Sequence, residues 1–256
     1  MKPWPSRHLP TRIAALLGFA VLLLPGRGAA ETGPAEEAGL DLIRRIRSLT
    51  PEASVTNRGR WVVRPARPRA PFEIPLLMAV FPTTTGWCSF YEMGPDPQDR
   101  STRLWIHHSG KRPPCLSLAT WTRSDPAPDA GEPLSAEESM QPLAETDFSP
   151  SDLAMAFLWW PRHQLIRSEM RRGQFCDVVE SETDHTPPGG YLRVRAWFDR
   201  DTAGLVYAEA FDAEGRLLKE FLPRRFRKID GRWEVTELEM IHRQNGSRTR
   251  LILDLE

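Results

Sequence analysis

The last third of the chain reads as a ladder of hairpins, and that pattern restricts the fold more than any other feature. Residues 191–199 place Leu192, Val194, Ala196 and Phe198 on one face and Tyr191, Arg193, Arg195 and Trp197 on the other, the alternation of a strand with one buried side. Residues 248–255 repeat it with Thr249, Leu251, Leu253 and Leu255. Asp230-Gly231 and Asn245-Gly246 are two-residue hairpin signals, and Glu214-Gly215 is a looser one. The runs 174–182, 205–212, 217–222, 226–229 and 233–241 fit the same scheme. Strands joined by such turns run antiparallel as a meander. No strand–helix–strand rhythm is present, so a Rossmann-type sheet is excluded.

The first half predicts strands over 54–64, 72–81, 86–93, 102–108 and 115–122. Pro65, Pro68, Pro71, Pro75 and Pro82 crowd these runs. Proline cannot donate to a ladder, which predicts edge strands or loops here. Ahead of them, residues 31–36 read as a flexible start. Leu40, Ile43 and Ile46, widened by Leu42 and Leu49, give a helical stripe over 37–49 that Pro51 ends. Residues 123–142 are acidic and rich in Pro, Ala and Ser, and read as a long exposed loop.

The N-terminus carries an export signal. Arg7, His8 and Arg12 precede an apolar stretch, 13–24, too short for a comfortable membrane span. Gly28-Ala29-Ala30 supplies the small residues of a cleavage site, which predicts cleavage after Ala30 and an exported protein, with an uncleaved N-terminal anchor as the alternative. No Cys follows, which argues against a lipid-modified N-terminus. The 256-residue precursor has 34 basic and 34 acidic residues. Residues 1–30 remove Lys2, Arg7, Arg12 and Arg27 and no acid, leaving 31–256 at a net charge of about −4, which argues against nucleic acid as a partner. That length suits a single domain of about 10–12 antiparallel strands with covering helices, monomeric in solution.

Three cysteines remain, Cys88, Cys115 and Cys176. Cys88 and Cys115 are the candidate disulfide, closing a loop between neighbouring strands. Three cysteines allow three pairings, and three buried thiols are the alternative.

Residues 145–161, ETDFSPSDLAMAFLWWP, carry a complete helix start. Ser149 is the N-cap, Pro150 sits at N1, Asp152 at N3 completes a capping box, and Phe148 can staple against Leu153. Pro161 is the stop. Between them Leu153, Phe157 and Trp160 line one side of the predicted helix, Ala154 and Leu158 another, Met155 and Trp159 a third. A surface helix has a polar face and this one has none. It is either a core helix inside a curved sheet or a lid over an apolar cavity. In the second case Leu153, Phe157, Leu158, Trp159 and Trp160 are the candidate lipid-binding residues.

This run, the strand YLRVRAWFDRD, the phrase EAFDAEGRLLKEF and the stretch RKIDGRWEVTELEMIHRQNGSRTRLIL follow in that order. Together they resemble the LolA-like family of outer-membrane lipoprotein-sorting proteins, over about residues 145–255. The resemblance implies a mostly β fold, an unclosed antiparallel β-barrel or half-barrel whose hydrophobic face is covered by helices. It implies carriage of acylated lipoproteins through the periplasm, between an inner-membrane release complex and an outer-membrane acceptor. The arginine that tethers the lid in members of that family is matched to no position of this sequence. A carrier of another lipid, and a filled-core β-rich interaction protein, are the alternatives.

An enzyme is disfavoured. His107 and His108 fall on opposite faces of one strand, and His163, His185 and His242 are scattered. HExxH, GxSxG and GxxxxGK are absent, and no cofactor or metal motif is present. Asp147 and Asp152 are accounted for by turn and cap chemistry. The basic run 224–228 reads as a solvated strand end. An acyl chain costs about 0.8 kcal/mol per methylene to leave in water, so a lipidated protein crosses an aqueous compartment only with its chains buried.

Overall fold

The computed structural model describes residues 33–254 apart from 52, 186, 230 and 231. The leader at 1–30 and the Asp230-Gly231 turn lie outside the described residues. The strands are β1 (Val55–Arg64), β2 (Phe72–Thr83), β3 (Gly86–Met93), β4 (Arg100–His108), β5 (Cys115–Thr122), β6 (Glu132–Pro133), β7 (Arg162–Arg171), β8 (Gln174–Glu182), β9 (Arg193–Asp199), β10 (Leu205–Phe211), β11 (Leu217–Ile229), β12 (Arg232–His242) and β13 (Arg248–Asp254). They form one sheet in the order β6-β5-β4-β3-β2-β1-β13-β12-β11-β10-β9-β8-β7. Every pair is antiparallel, and β1 lies against β13 through Trp61↔Leu251 and its neighbours. The sheet is not closed: β6 and β7 are its two edges. The mostly β half-barrel expected from the sequence is the fold.

The meander follows the hairpin chemistry closely. β3, β5 and β8 have the predicted bounds, and most others shift by one or two residues at an end. The count is 13 rather than 10–12 for specific reasons. The runs 217–222 and 226–229 are one strand, β11, whose register shifts around Pro223 and Arg225; a bulge absorbs the proline's missing N–H. β6 and β7 went unpredicted. The prolines also mislead. β2 holds Pro75 and Pro82 and still lies inside the sheet. The Pro75 carbonyl accepts from Gly94 N–H, so its missing donor faces β3 just past that ladder's first pair, Leu76↔Met93. Pro82 lies beyond the last β1 partner, Val80.

Helix α1 (Pro34–Arg47) starts three residues earlier than the hydrophobic stripe predicts, with Pro34 at its first position, so that the flexible start shrinks. Glu36 and Glu37 occupy the first turn and Arg44, Arg45 and Arg47 the last, as the helix dipole favours. It buries Gly39, Leu42, Ile43 and Ile46, while Leu49 is outside it and exposed.

The inner face of the sheet carries two clusters. Trp61, Ile74, Leu76, Tyr91, Met93, Leu104, Ile106, Met240 and Leu251 form the first, on β1–β4 and β12–β13. Val179, Val194, Ala196, Phe198, Ala208, Ala210 and Leu218 form the second, under α1. Tyr191 joins the second cluster, not the face of Trp197 as alternation suggested, because β9 starts only at Arg193. Trp197 packs on the outer face with Cys176, Val178 and Tyr207.

Candidate functional site

Residues 134–161 join β6 to β7, the two open edges. The link between those edges crosses the inner face, where Leu143, Phe148 and Ala154 join the first cluster and Phe157 and Leu158 the second. It does so as α2 (Ala136–Met140), a tight turn, α3 (Pro150–Leu153) and a 3-10 turn (Ala156–Trp159). The region 123–142, predicted as an exposed loop, is therefore partly built. It contains β6 and α2, and α2 is capped reciprocally by Ser135 and Glu138.

The predicted start of the crossing segment is realised. Ser149 Oγ accepts from Asp152 N–H, and Asp152 Oδ2 accepts from Ser149 N–H at 2.8 Å. Phe148 and Leu153 share one cluster, as a staple requires. The predicted continuous helix is not realised. It stops after one turn, Met155 takes a left-handed conformation (φ 47°, ψ 48°), and a 3-10 turn follows. The break explains why the run is apolar all round. Before it, Phe148, Leu153 and Ala154 pack into the first cluster. After it, Phe157 and Leu158 are buried in the second, with Trp159 and Trp160 against it. One straight helix could not reach both.

Two apolar spaces flank the break. A groove of about 350 Å³ lies between Ile46, Arg47 and Leu49 at the end of α1, the cover's Ala154, Met155, Leu158 and Trp159, and the β9–β10 turn. Trp87 and His108 stack at 3.6 Å along its wall. Burial, and the neighbouring His107, lower the His108 pKa to about 4, so the ring is neutral at pH 7. A smaller space of about 50 Å³ lies behind Met155 and Phe157, against Val194, Ala208 and Ala210, and ends on Asp152 and Lys219. Met155 and Leu205 line both. Of the five candidate lipid-binding residues, Phe157 lines the inner space, and Leu158 and Trp159 line the groove. Leu153 faces the first cluster, and Trp160 packs on Tyr191 at 5.8 Å.

The sequence missed the groups that hold this segment down. Arg47, at the end of α1, directs Nε and Nη2 to the Leu158 carbonyl, with Nε at 2.6 Å. Its guanidinium lies 4.3 Å from the Trp159 ring centre. An arginine therefore does tether the cover, from α1 and outside the motifs that carry the family resemblance. His163 Nε2 sits 3.4 Å from Arg47 Nη2, and its Nδ1 is 2.9 Å from Ser181 Oγ. Burial, then the Arg47 charge, lower the His163 pKa to about 4.

Asp147 and Asp152 do more than cap. Asp147 accepts from the Ser247 and Thr249 hydroxyls, and Thr249 Oγ1 in turn accepts from Asp147 N–H. Asp152 Oδ2 accepts from Lys219 Nζ at 2.8 Å, and Asp152 Oδ1 from Tyr191 OH at 2.7 Å. Burial works against the Asp152 carboxylate, but Lys219 and the hydrogen-bond donors outweigh it and hold the pKa below the ordinary value.

Cys88 and Cys115 do not pair. All three cysteines are free thiols, Cys88 and Cys176 buried and Cys115 exposed. Cys88 and Cys115 each oppose His107 from either side, two strand spacings or about 9–10 Å apart, beyond the reach of a disulfide. The basic run 224–228 lies at the end of β11, with 224–227 exposed, as a solvated strand end requires. Arg224 and Arg225 pair with Glu239 and Glu237 at 3.3 and 3.2 Å. Among the described residues no group of three or more His, Cys, Asp or Glu is placed to hold a metal ion, and no helix is long and apolar enough to cross a membrane.

Solved structures share this open antiparallel fold. A protein domain from Vibrio parahaemolyticus assigned to outer membrane lipoprotein sorting superposes with a TM-score of 0.68 at 16% identity, over 86% of this chain and 92% of that one. A DUF1329 family protein from Desulfovibrio piger gives 0.66 at 17%, over 86% and 91%. A LolA superfamily protein from Nitrosomonas europaea gives 0.57 at 18%, over 87% and 93%. At such identities the likeness is one of fold. No curated protein sequence matches. A family model described as "Uncharacterized protein" matches residues 125–255, which is half of the chain, and the chain belongs to that family.

Proposed function

We propose that this protein is a non-enzymatic periplasmic carrier that buries the acyl chains of lipidated proteins under residues 149–160, for sorting to the outer membrane. One observation carries the reading: the apolar link between the two sheet edges crosses the inner face, flanked by apolar space and latched by one arginine. A segment tied at both ends to sheet edges can lift without any strand leaving the sheet. The groove of about 350 Å³ lies at the lower end of ligand-pocket size, and the inner space is smaller, so chains enter as the cover withdraws. Phe157, Leu158 and Trp159 then exchange contacts with the cover's own bed for contacts with cargo, and Leu153 and Trp160 shift with them. No nucleotide is required, because the cover's return to its bed drives release. The fold shared with a domain assigned to lipoprotein sorting supports this cargo over other apolar ligands. The partners that follow are an inner-membrane release complex and an outer-membrane acceptor, each meeting a monomer that has lost residues 1–30.

Mass spectrometry of protein purified from its native periplasm tests the reading. Acylated protein bound to the purified chain is the expected result. Free lipid alone would reassign the cargo, and a bare protein that binds no acyl-chain probe would remove carriage.

A further inference from the structure

The contacts that seat the cover are divided unequally between cover and sheet. The cover supplies the carboxylates, Asp147 and Asp152. The sheet side supplies the donors: Lys219 from β11, Tyr191 just ahead of β9, Ser247 just ahead of β13, and Thr249 from β13. All four donors are buried, Thr249 completely and Tyr191 to within 3%. When the cover lifts, both anions leave with it and the donors stay on the sheet. Lys219 then stands as an unpaired ammonium at the end of an apolar space lined by Val194, Ala208, Ala210 and Phe221. A buried charge without a partner is strongly unfavourable, so opening is opposed unless the entering molecule brings an anion. His242, opposite Lys219 in the ladder, does not fill that role. Its pKa is lowered by burial and then by Lys219, so it is neutral at pH 7 and carries no negative charge.

We infer that Lys219, with Tyr191 beside it, is a binding site for an anionic group on the acyl-chain ligand, which takes the place that the Asp152 carboxylate holds in the closed form. The inference rests on the reading that the inner face receives acyl chains, and it goes beyond the neutral ester- and amide-linked chains of a lipidated protein to an amphiphile whose chain is joined to a carboxylate or a phosphate. The chain occupies the space vacated by Met155 and Phe157. The anion accepts from Lys219 Nζ and Tyr191 OH. The cover thus carries an internal copy of the ligand's head group, and ligand and cover compete for one cation.

Titration calorimetry with dodecanoate, dodecyl phosphate and dodecanol, all below their aggregation concentrations, tests this. The wild-type protein should bind at least one anion about tenfold more tightly than the alcohol, the worth of one charge-assisted hydrogen bond. Lys219→Met should bring that ratio to about one, and Lys219→Arg, which keeps a cation, should preserve most of it. Asp152→Asn, which removes the internal competitor, should strengthen anion binding more than alcohol binding. The stronger of dodecanoate and dodecyl phosphate identifies a fatty-acid or a phospholipid type of head. Equal binding of alcohol and anions by the wild type, or a ratio that survives Lys219→Met, would overturn the anion site and leave carriage standing. Failure of all three probes to bind would overturn both.

Discussion

At the scale of single residues, two side chains next to the cover set its stability and its response to acid. Arg47 grips the Leu158 carbonyl with two N–H groups and lies on Trp159. Arg47→Leu removes both contacts and the approach to His163 on β7, while His163 keeps Ser181 as a partner. The expected result is a melting temperature lower by a few degrees, for roughly 1 kcal/mol lost. An acyl-chain fluorophore should bind about fivefold more tightly, because less of its affinity is spent on opening. A drop in both stability and probe binding would count against a latch. His163 adds a pH dependence of known sign. Its folded pKa of about 4 lies below the ordinary 6.5, so the unfolded chain takes up a proton first. Stability is complete above about pH 6.5 and falls as the pH drops toward 4, with a slope of at most about 1.4 kcal/mol for each step of one in pH. His108 titrates in the same window. Chemical denaturation at pH 7 and pH 4.5 should show the wild type losing a few kcal/mol, with His163→Gln removing about half of that acid loss. Neither residue was legible beforehand. Arg47 is one of three arginines in the last helical turn, and only packing selects it.

At the scale of elements, the sequence shows where the cover begins and hides where it bends. Ser149, Pro150 and Asp152 act locally, so their pattern survives into the structure. Met155 does not: nothing in a run of apolar residues without Gly or Pro marks a left-handed position, and a non-glycine residue there carries strain of about 1–2 kcal/mol. The strain is offset by tertiary contacts, Leu153 and Ala154 in one cluster and Phe157 and Leu158 in the other, which local periodicity cannot register. β7 was missed for a related reason. It is an edge strand with a register shift between Leu165 and Arg167, so its alternation is broken and only His163 on it is fully buried. What holds β7 in place is α1. Gly39 lies so close that a Cβ there would meet His163 O and Leu165 N at 2.8 Å. Gly39→Ala should cost about 1–3 kcal/mol as an overpacking lesion and should push α1, with Arg47, off the cover. The measurement is stability together with probe binding. A stabilised variant, as helix propensity alone would give, would show that α1 has room to move.

At the scale of the whole molecule, the topology separates a frame from a moving part. β1 pairs with β13 and β2, so the two ends of the meander are stitched together at the middle of the sheet, and the open edges are the strands on either side of residues 134–161. The hairpin signals made the frame legible, because each turn fixes its own two strands. The closure of β1 on β13 was not legible, since it joins residues nearly 200 positions apart in the chain and has no local signature. This arrangement predicts two levels of cooperativity. Backbone amides of β1 and β13 should exchange with solvent only through global unfolding. Those of residues 153–160 should exchange through a smaller opening, since the segment's hold on the sheet is a few side-chain contacts. Hydrogen exchange read by mass spectrometry should therefore give slow exchange in 55–64 and 248–254 and faster exchange in 153–160. Arg47→Leu should accelerate the second set alone, and an acyl-chain ligand should change its exchange without altering that of the sheet. If 153–160 instead exchanges in step with β1 and β13, in the wild type and in the Arg47 variant alike, the segment is a fixed part of the core. The crossing link would then be a plug, and the inner face would have no way to receive a chain.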